Sequence, residues 1–209
     1  MELWDLLQSG TGSAAVNMAT DEVLLRTAAQ RSRPLLRIYA WEQPAISIGY
    51  FQKYPQTDRP VVRRPTGGGL VYHGADTTYT VVVPPGHALY RLTTAAAYCA
   101  IHQAVAFTLN SSLATENKTL RGQYECFQNP VAGDVVAGGQ KQAGGAQRRN
   151  RAGMLHQGSI AAPVADLPAG FRRQFQCEFQ PYRLTGEERA MIDWLATGKY
   201  ANAAWNQRL

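Results

Sequence analysis

The sequence contains few cysteines, and they do not suit a disulfide framework or a structural zinc site. Cys99, Cys126 and Cys177 are an odd number with no Cys-x-x-Cys spacing, whereas paired cysteines mark disulfide scaffolds and most structural zinc sites. No two of the four histidines stand three or four residues apart, so no catalytic zinc pair is predicted. We therefore expect a protein of the reducing cytoplasm without a bound metal.

Long apolar runs are also missing. No stretch approaches the roughly 20 residues that a membrane span needs. The amino terminus, MELWDLLQSG, lacks the basic start and apolar run of a signal peptide. These absences predict a soluble, cytoplasmic protein that does not bind a membrane.

Repeats and low-complexity segments are absent as well. The 209 residues are 45% hydrophobic and 17% charged, which is typical of a globular chain. The length favours a single domain spanning residues 1–209. Lys and Arg number 21 against 15 acids, a net charge of +6, so the partner is expected to be anionic: nucleic acid, an acidic protein or a phosphorylated small molecule.

Hydrophobic periodicity predicts a mixed α/β domain. Helices are expected at about residues 12–31 and 93–109, and a third begins with the capping box Thr185-Gly-Glu-Glu188. Alternating strands lie between them, 84–92 is predicted as a loop, and 126–162 as short strands interrupted by glycines. Because strands and helices do not alternate regularly, a doubly wound parallel sheet is not predicted.

A glycine-rich string, RRPTGGG at residues 63–69 followed by His73, is the first candidate site. Glycines allow a backbone to approach a ligand closely and allow N–H groups to converge on an anion. No Gly-Lys-Ser/Thr follows, so the string is not a Walker loop, and no helix follows as in a dinucleotide-binding turn. A bulged glycine hairpin is the alternative interpretation, but the flanking arginines and His73 favour a site.

A lysine among small residues, Lys141 in GGQKQAGGAQRR, is the second candidate. Only four of the 21 basic residues are lysines, so a lysine here suggests that a compact ammonium group matters. Such a group can stabilise negative charge that develops on a carbonyl or phosphate oxygen. A solvated loop lysine is the alternative.

Cys126 is the third candidate, because a thiol becomes a nucleophile when nearby positive charge lowers its pKa. It lies among polar residues, 15 positions before Lys141. Cys99 lies in an apolar helical segment, and Cys177 has no catalytic neighbour in sequence. A dyad of Cys126 with His73 or His156 is also possible from the sequence.

Taken in order, these strings resemble the catalytic domain of the biotin/lipoate protein ligase and lipoyl-transferase family over nearly the whole chain. The matching strings are Asn17-Met18 with Asp21; Arg37, Tyr39 and Trp41 with SIGYFQ at 47–52; RRPTGGG at 63–69 with His73; Lys141 with 144–147; HQGS at 156–159; and Lys199-Tyr200 with Trp205-Asn206. Each string is weak alone, but six in register are specific.

The resemblance implies a mixed sheet flanked by helices, related to class II aminoacyl-tRNA synthetases and biotin synthetases. It implies transfer of an octanoyl or lipoyl group to a lysine of a lipoyl-domain protein, such as a 2-oxoacid dehydrogenase E2 subunit or the glycine cleavage H protein. Acyl carrier protein is the implied donor. Both partners are acidic in this family, which suits the net charge of +6.

Two mechanisms occur in this family. Ligases adenylate free lipoate with ATP and Mg²⁺, and many carry an accessory C-terminal domain. Transferases pass the octanoyl group through a cysteine thioester and need no such cofactor. Cys126, eight residues before Asp134, stands where the cysteine-using branch has its nucleophile. The sequence ends with WNQRL, so no accessory domain is expected, and the octanoyltransferase is favoured over the ligase.

The resemblance also implies residue roles. Cys126 and Lys141 would be catalytic, as the nucleophile and the group that stabilises the oxyanion. Substrate binding would fall to Arg64, Thr66, Gly67, Gly68, Gly69, His73, Gly144, Gly145, Ala146 and His156. One departure is Gly74, where ligases and the cysteine-using branch usually have aspartate; Asp76 is a candidate replacement. A catalytically idle binding protein, such as a nucleic-acid binder using Arg148, Arg149 and Arg151, is a third alternative, but no recognition motif for nucleic acid is present.

Overall fold

The structure is a computed structural model that describes residues 1–117 and 130–209. Within those ranges the chain forms eleven strands and six α-helices. The strands are β1 (Glu2–Gly12), β2 (Leu35–Trp41), β3 (Ala45–Ile48), β4 (Val61–Arg63), β5 (Val71–His73), β6 (Thr77–Val83), β7 (Ser112–Leu113), β8 (Val135–Ala137), β9 (Gln140–Asn150), β10 (Gly153–Ile160) and β11 (Cys177–Pro181). The helices are α1 (Ala14–Arg26), α2 (Ala88–Arg91), α3 (Thr94–Leu109), α4 (Leu167–Phe175), α5 (Gly186–Leu195) and α6 (Ala203–Asn206).

Eight strands form one mixed sheet in the order β11-β1-β2-β6-β10-β9-β8-β7. β1 runs parallel to both β11 and β2, whereas the pairs from β2 to β7 are antiparallel. The predicted fold class, a mixed sheet flanked by helices, is thereby confirmed.

Alternation along the central strand β6 supplies both faces of this sheet with core residues. Tyr79, Val81 and Val83 join the cluster that α3 and α4 cover, and Val82 points to the opposite cluster with Leu24 of α1. A strand sends successive side chains to opposite faces, so its continuous apolar run is explained by burial on both sides.

A smaller sheet of three strands, in the order β4-β3-β5, carries the glycine-rich string between β4 and β5. β3 is parallel to β4 and antiparallel to β5. The turn of three glycines is thus held at one end of a short sheet, next to α1 and β10.

Several local predictions are confirmed and others are corrected. The capping box between Thr185 and Glu188 is present at the start of α5. The first predicted helix is shorter than 12–31, because Ser13 caps it at its start and β1 occupies the residues before it. The segment 84–92 contains the short helix α2, so it is not entirely loop.

The glycine-punctuated segment forms successive strands in the described residues, as predicted: β8, then β9, which contains both glycines of KQAGGAQRR, and then β10. Gly144 and Gly145 remain in the ladder opposite Ser159 and Gly158. Glycine fits here because neighbouring side chains occupy the space that a Cβ would need: Lys141 at Gly144 and His156 at Gly145.

No helix in the described ranges is long and apolar enough to cross a membrane.

Candidate active site

A pocket lies between the face of the large sheet that α1 covers and the small three-stranded sheet. Its lining combines apolar and polar side chains with glycine backbone: Met18, Tyr39, Trp41, Ser47, Arg64, Gly68, Val71, His73, Thr78, Gly144, Gly145, Ala146, Gln157, Gly158 and Ser159.

Arg64 fixes the shape of the glycine-rich string. Its Nη2 donates to the carbonyl oxygens of Gly67 (3.1 Å) and Gly69 (2.7 Å), and its Nη1 donates to the carbonyl (2.8 Å) and Oγ (2.7 Å) of Ser47. The buried guanidinium therefore joins the string to β3. The rigid fork of an arginine suits this role better than a lysine would.

Close backbone contact explains two of the glycines. A Cβ on Gly49 would lie 2.0 Å from the carbonyl oxygen of Gly68, so only glycine lets β3 meet the turn. Gly68 itself has a φ of +85°, a conformation that side chains disfavour. The turn is thus a packed wall of the cavity.

A buried polar network forms the floor. The carboxylate of Asp21 accepts four hydrogen bonds, from Arg37 Nη1, Tyr39 Oη, Thr80 Oγ1 and Gln157 Nε2. Gln157 Oε1 accepts in turn from Thr66 Oγ1 at 2.7 Å. Satisfied networks of this kind rigidify a core, so the floor is preorganised.

His73 stands in the wall between two hydrogen-bond partners. Its Nε2 lies 2.6 Å from Ser47 Oγ and its Nδ1 lies 2.7 Å from Asp76 Oδ2. The ring stacks on Trp41 at 3.9 Å between centroids. Burial lowers the pKa of His73 from 6.5, although Asp76 opposes that shift. The hydrogen bonds from His73, Ser159 and Gly74 outweigh burial and lower the pKa of Asp76 to about 2.

Lys141 lies at the opposite wall and is almost fully buried. Its Nζ is 2.7 Å from Asp134 Oδ2. A Cβ on Gly144 would lie 2.3 Å from Lys141 Cε and 2.5 Å from Nζ, so the ammonium group lies directly beside this lining residue. Tyr98 Oη donates to Asp134 Oδ1 and accepts from the N–H of Gly145, which connects the ion pair to β9.

His156 does not face this cavity, although it was predicted as a site residue. It is fully buried on the face covered by α3, where its ring stacks with Tyr79 at 5.8 Å. Burial lowers its pKa well below 6.5. Its ring packs against the backbone of Gly145, but it does not line the cavity.

The predicted site residues otherwise meet around one cavity. Six of them line it: Arg64, Gly68, His73, Gly144, Gly145 and Ala146. Thr66, Gly67 and Gly69 act through hydrogen bonds to Gln157 and Arg64. Cys126 lies outside the described residues. Of the other cysteines, Cys177 is buried, and this burial raises the pKa of its thiol to about 11.

Sequence reasoning missed two residues. Ser47 was read only as part of a strand motif, and Asp134 only as a reference point for Cys126. Their partners are 26 and seven residues away along the chain, so no local pattern pointed to them. In residues 1–117 and 130–209, no group of three or more His, Cys, Asp and Glu could hold a metal ion.

Comparisons with known proteins find relatives along the whole length of the chain. A sequence profile described as the lipoyl protein ligase A/B catalytic domain matches residues 13–167. The chain is 29% identical to octanoyltransferase LipM of Geobacillus kaustophilus over 98% of each chain. It is 27% identical to octanoyltransferase LipM of Bacillus subtilis over 99% of each.

Solved structures share the fold. Lipoate-protein ligase A bound with ATP superposes with a TM-score of 0.79 at 21% identity, over 99% of both chains. A bipartite lipoate protein ligase from an archaeal lipoylation system of Thermoplasma acidophilum superposes with a TM-score of 0.77 at 20% identity, over 99% of this chain and 97% of the other. At these identities the likeness establishes the fold.

Proposed function

Because the chain belongs to the lipoyl protein ligase A/B catalytic-domain family, we propose that it transfers an octanoyl group from acyl carrier protein to a lysine of a lipoyl-domain protein. The observation that carries this proposal is the full-length similarity to proteins named octanoyltransferase LipM. The enzyme is accordingly an acyltransferase.

The cavity supports an acyl substrate. Met18, Val71 and the faces of Tyr39 and Trp41 supply apolar surface against which an acyl chain can pack. Burial of each methylene contributes about 0.8 kcal/mol, so an eight-carbon chain gains several kcal/mol. This generic affinity leaves specificity to the polar groups around the carbonyl.

Lys141 supports the chemistry at that carbonyl. Its ammonium group lies beside Gly144 at the cavity wall and is oriented by Asp134. A fixed positive charge in a site shielded from water stabilises an oxyanion strongly, because no reorganisation is needed when the charge develops. Lys141 is therefore assigned to the tetrahedral intermediates of both transfer steps.

Cys126 is the proposed nucleophile. The Cys126 thiol loses a proton and the resulting thiolate attacks the thioester carbonyl of the octanoyl carrier; the bond to the carrier sulfur breaks, and that sulfur takes up the proton. The lysine amine of the acceptor then attacks the enzyme thioester, loses a proton and releases the Cys126 thiol. Neither step consumes ATP. The relatives' names favour this route over adenylation, for which ATP and Mg²⁺ would be required.

The partners proposed for these steps are acyl carrier protein and a lipoyl domain, of the type found in 2-oxoacid dehydrogenase E2 subunits or the glycine cleavage H protein. The net charge of +6 suits acidic macromolecules of this kind. A solved archaeal ligase of the same fold is described together with its E2 lipoyl domain.

One assay tests the activity and the nucleophile together. The protein is incubated with a lipoyl domain and either octanoyl-acyl carrier protein alone or free lipoate with ATP and Mg²⁺, and the domain's mass is measured. We expect octanoylation without ATP that Cys126→Ala abolishes. Cys99→Ala is the matched control and should retain transfer.

Three results would overturn all or part of the proposal. Modification that strictly requires ATP would identify a ligase. Full transfer activity in Cys126→Ala would remove the thioester route while leaving the octanoyltransferase assignment intact. Absence of any modification, with salt-sensitive binding to RNA or DNA, would favour the non-catalytic alternative.

A further inference from the structure

Ser47, His73 and Asp76 form a continuous hydrogen-bonded chain that the proposed transfer does not use. Ser47 Oγ lies 2.6 Å from His73 Nε2, and His73 Nδ1 lies 2.7 Å from Asp76 Oδ2. Hydroxyl, imidazole and carboxylate meet here in the order and spacing of a serine hydrolase triad, which is recognised by geometry and not by sequence position.

The surrounding groups fix where the protons lie. Arg64 Nη1 can only donate, so it occupies an acceptor site on Ser47 Oγ and leaves the hydroxyl proton for His73 Nε2. The carboxylate of Asp76 accepts from Nδ1, which assigns the proton to that nitrogen. The imidazole is thus poised in the tautomer that can take a proton from Ser47.

Asp76 is itself held firmly. Its Oδ2 also accepts from Thr78 Oγ1 (2.9 Å) and Ser159 Oγ (2.7 Å), and its Oδ1 accepts from the N–H of Gly74 (3.0 Å). Trp41 stacks on the His73 ring and donates to Thr78. Groups packed so closely cannot reorient freely, as a preorganised relay requires.

The chain opens into the acyl cavity. Ser47 and His73 line it together with Arg64, whose guanidinium touches the serine oxygen. That contact favours the alkoxide character that a serine nucleophile needs in its transition state. A buried Ser–His–Asp chain in a purely structural role would not need its hydroxyl at the wall of a substrate pocket.

We infer that Ser47 is a second acyl-accepting nucleophile, with His73 as its general base and Asp76 as a positioning residue, and that it cleaves activated medium-chain acyl esters and thioesters. The inference deepens the proposed function, because it takes the acyl group from that function, but it does not depend on Cys126 or on either protein partner.

The reaction has two steps, acylation of Ser47 and hydrolysis of the resulting ester. Ser47 Oγ bonds to the acyl carbon while its proton passes to His73 Nε2. The bond to the leaving oxygen or sulfur breaks, and that atom takes the proton from His73. Water then attacks the ester, gives a proton to His73, and displaces Ser47 Oγ, which recovers that proton; the products are a carboxylic acid and an alcohol or thiol.

The experiment uses 4-nitrophenyl octanoate and the Cys126→Ala protein, so that no thiol at that position can react. We expect a burst of 4-nitrophenolate approaching one equivalent per chain, and a peptide containing Ser47 that gains one octanoyl group in place of one hydrogen. Ser47→Ala in the same background should lower the burst rate by about a thousandfold.

Two further variants separate catalysis from structure. Asp76→Asn should slow the burst by more than a hundredfold and change its pH profile, because the amide no longer favours the imidazole tautomer with its proton on Nδ1. Ser47→Cys keeps a nucleophile at the same position and should be acylated at that residue even where Ser47→Ala does not fold.

Three outcomes would overturn the inference: no burst, an adduct on a residue other than Ser47, or an unchanged burst in Ser47→Ala. Each is independent of the transfer assay, since neither acyl carrier protein nor a lipoyl domain is present. Failure here therefore leaves the octanoyltransferase proposal standing, and failure of that proposal leaves this reaction to be judged alone.

Discussion

The two walls of the cavity are each built around a buried carboxylate, but with different partners. On the side of the small sheet, Asp76 faces the imidazole of His73 at 2.7 Å. On the side of β9, Asp134 faces the ammonium of Lys141, also at 2.7 Å. A neutral imidazole can both accept and donate a proton, whereas an ammonium group can only donate hydrogen bonds.

The two walls therefore supply different chemical groups to one cavity. The Asp76 wall carries a chain of exchangeable protons that ends on Ser47, and the Asp134 wall carries a fixed positive charge beside Gly144. We expect the first wall to control proton transfer and the second to control oxyanion stabilisation. Substitutions in each wall should therefore have different signatures.

The largest expected effect is that of Lys141→Ala. Octanoyl transfer should fall by at least a hundredfold, since loss of one oxyanion donor costs about 10²–10³ in rate. The free energy of unfolding should also fall by about 3–5 kcal/mol, because Asp134 is left as a buried, uncompensated charge. Transfer rates and urea denaturation measure the two effects.

Lys53→Ala is the matched control for this variant, because Lys53 is exposed and should change neither quantity. If Lys141→Ala transferred the octanoyl group at the normal rate, the β9 wall would have no part in catalysis and the contrast between the walls would be lost.

Gly144→Ala should have the next largest effect. The new methyl group would overlap the end of the Lys141 side chain, which is flexible enough to move, so the ammonium is displaced while the strand remains. Transfer should fall by about a hundredfold, since a misplacement of about 1 Å costs that much. The free energy of unfolding should change little.

The comparison for Gly144→Ala is Gly186→Ala, at the exposed start of α5, where a Cβ meets no atom within 4 Å. Equal rates for the two variants would show that position 144 does not act through Lys141. Transfer kinetics and thermal unfolding of both proteins give the answer.

Asp76→Asn tests the other wall. The pKa of Asp76 lies near 2 in the folded protein against an ordinary value of 3.8, so the ionised carboxylate contributes about 2 kcal/mol of stability at neutral pH. That contribution is present above the unfolded value and is lost as pH falls from 3.8 towards 2. The variant should be destabilised at pH 7 and approach the parent protein in acid.

Denaturation at several pH values measures this difference. A destabilisation that stayed constant from pH 7 down to pH 2 would mean that the carboxylate charge is not what stabilises the wall, and that the hydrogen-bond geometry alone matters.

The smallest expected effect is that of Trp41→Phe. The ring still covers His73, but the 2.8 Å hydrogen bond from Nε1 to Thr78 Oγ1 is lost. The free energy of unfolding should fall by about 1 kcal/mol, and ester cleavage should be reduced only a few-fold.

Trp194→Phe, at a side chain that is 68% exposed, is the control and should change neither quantity. A large loss of stability would mean that Trp41 packing, rather than its hydrogen bond, supports this wall.

Local signals in the sequence predicted much of the fold. The caps at Ser13 and Thr185 mark the starts of two helices because their side chains bond to backbone within the first turn. The strand β1 was missed, since its residues alternate only partly and its partners are 29 or more positions away.

The candidate site was also predicted only in part, because local strings do not show which distant residues they will meet. The string RRPTGGG and Lys141 stood out through composition alone, and both lie at the cavity. His156 belongs to a motif of the same kind, yet it points to the opposite face from Gln157, because successive residues of a strand alternate between faces. Composition does not show which face is the core.

By itself, the sequence determined the family, the class of fold and the residue types available for acyl transfer, because these depend on strings of adjacent residues. Only the tertiary structure decided which of them meet: Ser47 with His73 across β3 and β5, and Lys141 with Asp134 beside Gly144. The register of the strands sets those contacts, and a shift of one residue would send each side chain to the other face.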